Sequence, residues 1–417
     1  MIKKILFFLF LTITIQGQNE PSLIDSVYQV LDSFVKQPSV ESLVKLNQMD
    51  RHFESVKAPK SKEELLAIVI LNCNKGYYES QYGKNREATE SYEKAWRLFK
   101  KNKLANYDIV EFCLKPLGNL YTIQGDYDNA ENIIKQYYYS ATKEKNKSQK
   151  IAAILNLSNV YQSAGKSDLA IDLLRKTIQT EKLGITQKGI FVNNLGNNYL
   201  LNYKKALVTK KENPSDFKKI EGTYLYAIQL LQADEMQSET LGNCYRNLAS
   251  LYVQERHYEK ANEYFAEAKK LFLATSNKDP RKIAKLYYEE ALLLFEQQKR
   301  KEASALIGKV FKTLIPKYSN IKNNLPSQSS LYAETILLDA FDLQAAIYTH
   351  ENQPKKALEA YALSFYIEDL FAHLLIFENS KIITQTRVRN RTEKCIALYD
   401  ALFKNEKQQS YIESAFQ

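Results

Sequence analysis

Residues 117–130 read LGNLYTIQGDYDNA, and residues 157–170 read LSNVYQSAGKSDLA. Both hold Leu, a small residue, Asn, Tyr, Gly and Ala at the same offsets while the other positions vary. Self-similarity of this kind marks a structural unit copied along the chain. Counted from the small residue, the register is Tyr three later, Gly seven later and Ala twelve later. It recurs around Gly196 and Tyr199, and again in NLASLYVQERHYEKANEYFAEA through Ala249, Tyr252, Ala261 and Phe265. Backwards it takes in Gly76, Gly83, Ala88 and Tyr92. Forwards it takes in Ala291, Ala303 and Ile307, then Ala345, Tyr348, Ala357 and Tyr361. Seven copies fit, with small residues at 76, 118, 158, 196, 249, 291 and 345.

The small residues have a physical purpose. Two antiparallel helices approach closely only where side chains are small, so Gly or Ala on a first helix and Ala on a second predict a tight hairpin. Gly125 and Gly165 fall in the turn, where a left-handed residue is wanted. Only 12 Gly and 9 Pro occur in 417 residues, as suits helices joined by short turns. A lone hairpin cannot bury its apolar surface, so neighbours must stack. This pattern resembles the tetratricopeptide repeat, which implies an all-α, right-handed superhelical solenoid of helix-turn-helix hairpins.

The successive spacings are 42, 40, 38, 53, 42 and 54 residues. A period near 40 resembles kinesin-light-chain-like arrays, and the two long spacings predict insertions. One is expected near 202–222, between the two helices of its hairpin. The other is expected near 316–330, between repeats. Both are polar and Pro-containing, which reads as surface loop. The expected organisation is a leader at 1–17, an N-terminal helical cap at 18–60, the array at 61–376, and a long helix with the start of another at 377–417.

The leader is read from MIKKILFFLFLTITIQG: Lys3 and Lys4, an apolar run from Ile5 to Ile15, then Gly17 before a polar stretch. That is the layout of a secretory signal peptide, with cleavage expected after Gly17. Export to the periplasm or cell envelope is implied, without membrane insertion afterwards. The net charge of +10 comes from lysines in turns and insertions, such as Lys143, Lys145, Lys210 and Lys211, so nucleic acid is not an expected partner. Cys73, Cys113, Cys244 and Cys395 show no paired spacing, and His52, His257, His350 and His373 show no metal spacing. No phosphate loop, catalytic carboxylate pair or Ser-His-Asp set is recognisable. No cofactor and no catalysis are expected.

The resemblance implies that first-helix residues line a concave face. With the small residue counted as the eighth position, the ninth gives Asn119, Asn159 and Asn197, and the fifth gives Lys115, Asn193 and Arg246. A carboxamide donates and accepts, so stacked Asn side chains can pair with the main chain of an extended peptide. Lys115 and Arg246 can take acidic groups. The alternative is that the Asn residues bond neighbouring helices to one another. Asn156, Asn194 and Asn247 recur at the sixth position, where packing is the expected role.

Beyond residue 370 the style changes. A long helix is expected from about Leu370 to Phe403, a polar turn over Lys404–Gln409, and a new helix from Ser410. Leu398–Tyr399 and Ala415–Phe416 resemble the junction of bacterial proteins that join such an array to a C-terminal CHAT domain, a caspase-like peptidase module. That resemblance implies that the chain continues past Gln417 and that this part is the recognition half. The expected function is an exported protein- or peptide-binding scaffold. The alternatives are the N-terminal part of a CHAT-type peptidase, or the sensor region of a receptor.

Overall fold

The computed structural model describes residues 22–56, 60–211, 213–274, 279–315, 325–372 and 378–416. The proposed leader and its cleavage point lie outside them, as does His373. The described residues form α1 (Leu23–Lys36), α2 (Val40–Ser55), α3 (Lys62–Gln81), α4 (Asn85–Lys101), α5 (Lys115–Gln124), α6 (Tyr127–Lys143), α7 (Lys147–Ser163), α8 (Ser167–Thr180) and α9 (Ile185–Thr209). Next come α10 (Pro214–Leu231), α11 (Ser238–Gln254), α12 (Tyr258–Ala274), α13 (Pro280–Glu296), α14 (Arg300–Leu314), α15 (Thr335–His350), α16 (Pro354–Ala372), α17 (Glu378–Glu406) and α18 (Ser410–Phe416). They pack in consecutive pairs, α3 with α4 through α15 with α16, and each pair packs on the next.

One distance organises the seven hairpins. Sixteen residues after Gly76, Gly118, Ser158, Ala249, Ala291 and Ala345 stand Tyr92, Ile134, Leu174, Phe265, Ile307 and Tyr361. All six are buried. The large side chain on the second helix lies against the small residue on the first. A Cβ at Gly76 would sit 2.8 Å from the Tyr92 ring, and one at Gly118 would sit 2.6 Å from Ile134. The tight approach thus seats a bulky group on a bare backbone. The Ala of the second helix (Ala88, Ala130, Ala170, Ala261, Ala303, Ala357) is fully buried in every case.

The fourth hairpin keeps the contact at a longer interval. Gly196 lies under Tyr224, at 2.8 Å from a notional Cβ to the ring. Tyr224 comes 28 residues after Gly196, twelve more than elsewhere. The expectation of a surface loop at 202–222 is corrected here: the surplus is mostly helix. α9 starts as far ahead of its small residue as α7, α11 and α13 do, but continues 13 residues beyond it where they continue five. Asn213 caps α10, its Oδ1 accepting from the Ser215 amide at 3.0 Å, and Pro214 opens the helix. Pro is suited to that position because its missing N–H would have no intrahelical partner anyway. The extension braces both neighbours. Lys205 donates to the Gly165 carbonyl (3.1 Å) and Asn202 to Asp168 (2.9 Å) on one side. On the other, Tyr203 donates to Glu255 (2.5 Å), and Phe217 stacks on the exposed His257.

The second expected insertion lies partly outside the described residues, over 316–324. In its described part Leu325 joins the core of the last repeats, as does Leu331 just after it, while Ser327, Gln328 and Ser329 are exposed. The Tyr332 hydroxyl donates to the Leu314 carbonyl at 3.0 Å.

α1 and α2 pack on α3 through Val27, Leu31, Phe34, Leu43, Leu46 and Phe53. At the far end α16 runs to Ala372 and α17 begins at Glu378; the expected helix from about Leu370 to Phe403 crosses residues 373–377, which lie outside the described ones. α17 packs on α16 and also reaches α6. All four cysteines are free and buried.

Candidate functional site

The first helices of successive hairpins stack side by side, which brings the Asn positions together. Asn194 Nδ2 donates to Asn159 Oδ1 at 3.1 Å, joining α9 to α7. Asn247 Nδ2 donates to Asn193 Oδ1 at 3.2 Å and to Asn197 Oδ1 at 2.8 Å, joining α11 to α9. Glu289 takes the equivalent place on α13. It accepts from Ser250 Oγ at 3.2 Å and pairs with Arg246, Nε to Oε2 at 3.3 Å. The pattern is regular over these three junctions: the sixth position of one repeat engages the ninth, the fifth, or both, of the repeat before it. Tyr224 adds a bond from within the hairpin, its hydroxyl donating to Asn197 Oδ1 at 2.9 Å.

Four of the six residues expected to line a ligand groove therefore bond to a neighbouring repeat. Asn159, Asn193, Asn197 and Arg246 belong to this network, and Asn193 and Arg246 are buried. Asn247 holds it together. With Asn247→Ala, the side-chain oxygens of Asn193 and Asn197 lose their donor from α11, and the expected loss is about 2 kcal/mol. Urea unfolding combined with the exchange of α9 and α11 amides measures it.

The junction between α5 and α7 differs. By the same rule Asn156 should meet Asn119 and Lys115. Instead Asn119 is exposed. Lys115 pairs with Glu111 on its own turn at 2.8 Å. Asn156 Nδ2 is buried without a hydrogen-bond partner among the described residues. A π-helical turn over Val110–Leu114 directly precedes these positions, with the Lys115 amide bonded back to the Val110 carbonyl. Such a turn inserts an extra residue and shifts the register of the helix beyond it, and it is frequent at functional sites.

Charge is concentrated further along. Lys204, Arg246 and Lys285, from three successive repeats, lie within electrostatic range of Glu289. The charge of Arg246, then burial, pulls the Lys285 amine down to about 8. Burial likewise lowers Lys204. On α15, burial raises the Asp339 carboxyl, with Asp342 adding to the shift and Arg387 opposing it. Asp342 is clasped by α17: Arg391 Nε and Nη2 donate to its two oxygens at 2.8 and 2.9 Å, and Ser364 donates at 2.8 Å. The sixth-position recurrence of Asn points to the junctions, but Glu289, Lys285 and Arg391 break the residue pattern, so spacing alone does not single them out. Among the described residues there is no cluster of metal-binding side chains, and no helix is long and apolar enough to cross a membrane.

No protein family profile matches the sequence. No curated protein is similar to it at the sequence level. Solved structures are similar in fold. A Rap protein complexed with competence and sporulation factor superposes with a TM-score of 0.54 at 15% identity, over 86% of this chain and 89% of that one. The apo form of the quorum sensor NprR from B. thuringiensis superposes with a TM-score of 0.53 at 13% identity, over 82% and 86%. A tetratricopeptide repeat protein from Parabacteroides merdae shares 16% identity with a TM-score of 0.41, over 75% of this chain and 99% of that one. At these identities the likeness concerns the fold alone. The chain is an all-α solenoid of tetratricopeptide-type hairpins.

Proposed function

We propose that this protein is a binding scaffold that takes an extended segment of another protein along the inner face of its array. The carrying observation is the α5–α7 junction, where the groups that close the next three junctions are left open. The exposed Asn119 carboxamide can both donate to and accept from a main chain, and Asn156, whose Nδ2 is unpartnered among the described residues, lies on α7, the next first helix. The Rap protein of the same fold holds a factor in its complex, which supports reading the fold as a receptor. The N-terminal run Lys3–Gly17 supports export. The resemblance of residues 377–417 to a CHAT junction favours a recognition role beside an effector. All of this is binding, not catalysis.

The test uses peptides selected from a random displayed library against the full chain. Asn119→Ala and Asn156→Ala together should weaken the selected peptides at least tenfold. Stability should be unchanged or slightly raised, because Asn156→Ala removes a buried donor that has no partner. Unchanged binding overturns the assignment of this junction. The Asn159 and Asn197 positions are poor probes by comparison, since their loss loosens the array itself.

A further inference from the structure

Resting on the scaffold reading, we infer that α17 is a built-in occupant of the inner face: its leading half reaches from the last hairpin back to α6, and a bound segment must displace it. α17 follows the seventh hairpin yet reaches α6 of the second, with four hairpins between them along the chain. Repeats of a solenoid otherwise meet only their neighbours, so this contact closes the array across its inside. α6 packs on both α5 and α7, the helices whose junction holds Asn119 and Asn156. The reach of α17 therefore ends beside the groups assigned to the ligand.

The two halves of α17 are held differently. In the trailing half, Arg391, Cys395, Leu398 and Leu402 are buried at three- and four-residue intervals, and Cys395 and Leu398 join the core of the last repeats. Lys355 of α16 pairs with Glu406 at 3.0 Å. Arg391 clasps Asp342, which stands three residues before Ala345. That is the fifth position of its repeat, the one held by Lys115, Asn193 and Arg246 on earlier repeats. On the last repeat α17 thus takes the place expected of a ligand. The leading half, residues 378–390, is about 20 Å of helix with only Ile382, Ile383 and Val388 as large apolar residues. Arg387, one turn ahead of Arg391, is exposed. Burial raises the carboxyls of Asp339 and Glu368 in the last hairpin and the hydroxyl of Tyr127 at the start of α6, and the Arg387 charge opposes each rise. A segment with so little apolar packing opens at low cost, as one that must give way requires.

The experiment follows α17 in the full chain. Arg387→Glu sets a negative charge against the acidic groups it faces, and Asn390→Pro breaks the helix between its halves. Both positions are exposed, and circular dichroism checks the fold. In Arg387→Glu the amides of residues 378–386 should exchange hydrogen at least tenfold faster than in wild type, while those of 395–406 keep their protection. In both variants small-angle scattering should show a larger radius of gyration. Peptides selected from a random displayed library should bind both variants at least fivefold more tightly than wild type. A saturating peptide should speed exchange over 378–386 in wild type about tenfold. Peptides that depend on Asn119 and Asn156, bind all three chains equally and leave α17 exchange unchanged overturn the displacement and leave the scaffold standing. If neither wild type nor the variants select a peptide, the scaffold reading falls and the displacement with it. Faster exchange and an expanded array then keep α17 as a clasp on the solenoid, whereas no change in either removes the closure too.

Discussion

Arg391→Met should loosen α17 by about 3 kcal/mol, read as the opening free energy of its amides in native-state hydrogen exchange. Arg391 is 2% exposed. Its guanidinium forms two parallel bonds to Asp342 and lies 3.5 Å from Glu368 and over the Phe365 ring. Removing one member of a buried ion pair costs roughly 3–5 kcal/mol, because the remaining charge is stranded. The Asp342 side chain is 32% exposed and can regain water, which places the effect at the low end of that range. Glu368 cannot, and burial already pushes its carboxyl up, against the pull of Arg391 and Arg387. In the variant that pull weakens and Glu368 takes up a proton more readily folded than unfolded. The deficit should therefore shrink as pH falls towards the ordinary carboxylate range. Arg391→Lys keeps a charge but not the two-bond geometry, and should fall between. Because a solenoid is stabilised by neighbour contacts, the loss should stay within α15–α17 and the part of α6 that α17 reaches. Unchanged α17 exchange would falsify this account.

The other large effect is at Tyr224. Tyr224→Ala should destabilise the fourth hairpin by about 4 kcal/mol, since the ring is fully buried and its removal leaves a cavity over Gly196. Tyr224→Phe should cost only about 1 kcal/mol, the worth of its bond to Asn197. The gap between the two separates packing from hydrogen bonding at one position. Gly196→Ala alone should also destabilise, because its new methyl meets the ring. Combined with Tyr224→Ala, it should cost less than the sum of the two. Urea midpoints of the four variants decide the point, and additive losses would sink the claim that these residues pack on each other.

The fold was legible because its packing is written at short range. A small residue and a large one sixteen positions later recur along one hairpin, and local spacing displays them. Turn chemistry was less regular than it looked. Gly125 and Gly165 take positive φ, but the later turns place Arg256, Gln298 and Asn352 in the same conformation. Those residues carry a strain of about 1 kcal/mol each that hairpin packing must offset, so the glycine signal fades along the chain. The stretch 202–222 misled for a definite reason: Asn213–Pro214 reads as a loop but caps and opens a helix just as well. The candidate site was legible as a column of Asn residues, not as a set of bonds. Which residue meets which depends on the stacking offset between repeats, and partners such as Asn193 and Asn247 lie 54 positions apart. The open α5–α7 junction was hidden altogether, because Asn156 and Asn119 have the same residue types and spacing as the pairs that do bond.

The surplus length of α9 lies wholly beyond Gly196, on the side of the array where each hairpin turns back. Eight additional residues amount to roughly 12 Å of helix. That rim is therefore not level, and the fourth hairpin forms a step on it. A broad surface approaching from that side touches the step before it touches either adjoining hairpin. Exposed Lys210 and Lys211 stand at its tip. First contact there is with positive charge, at a single place along the rim.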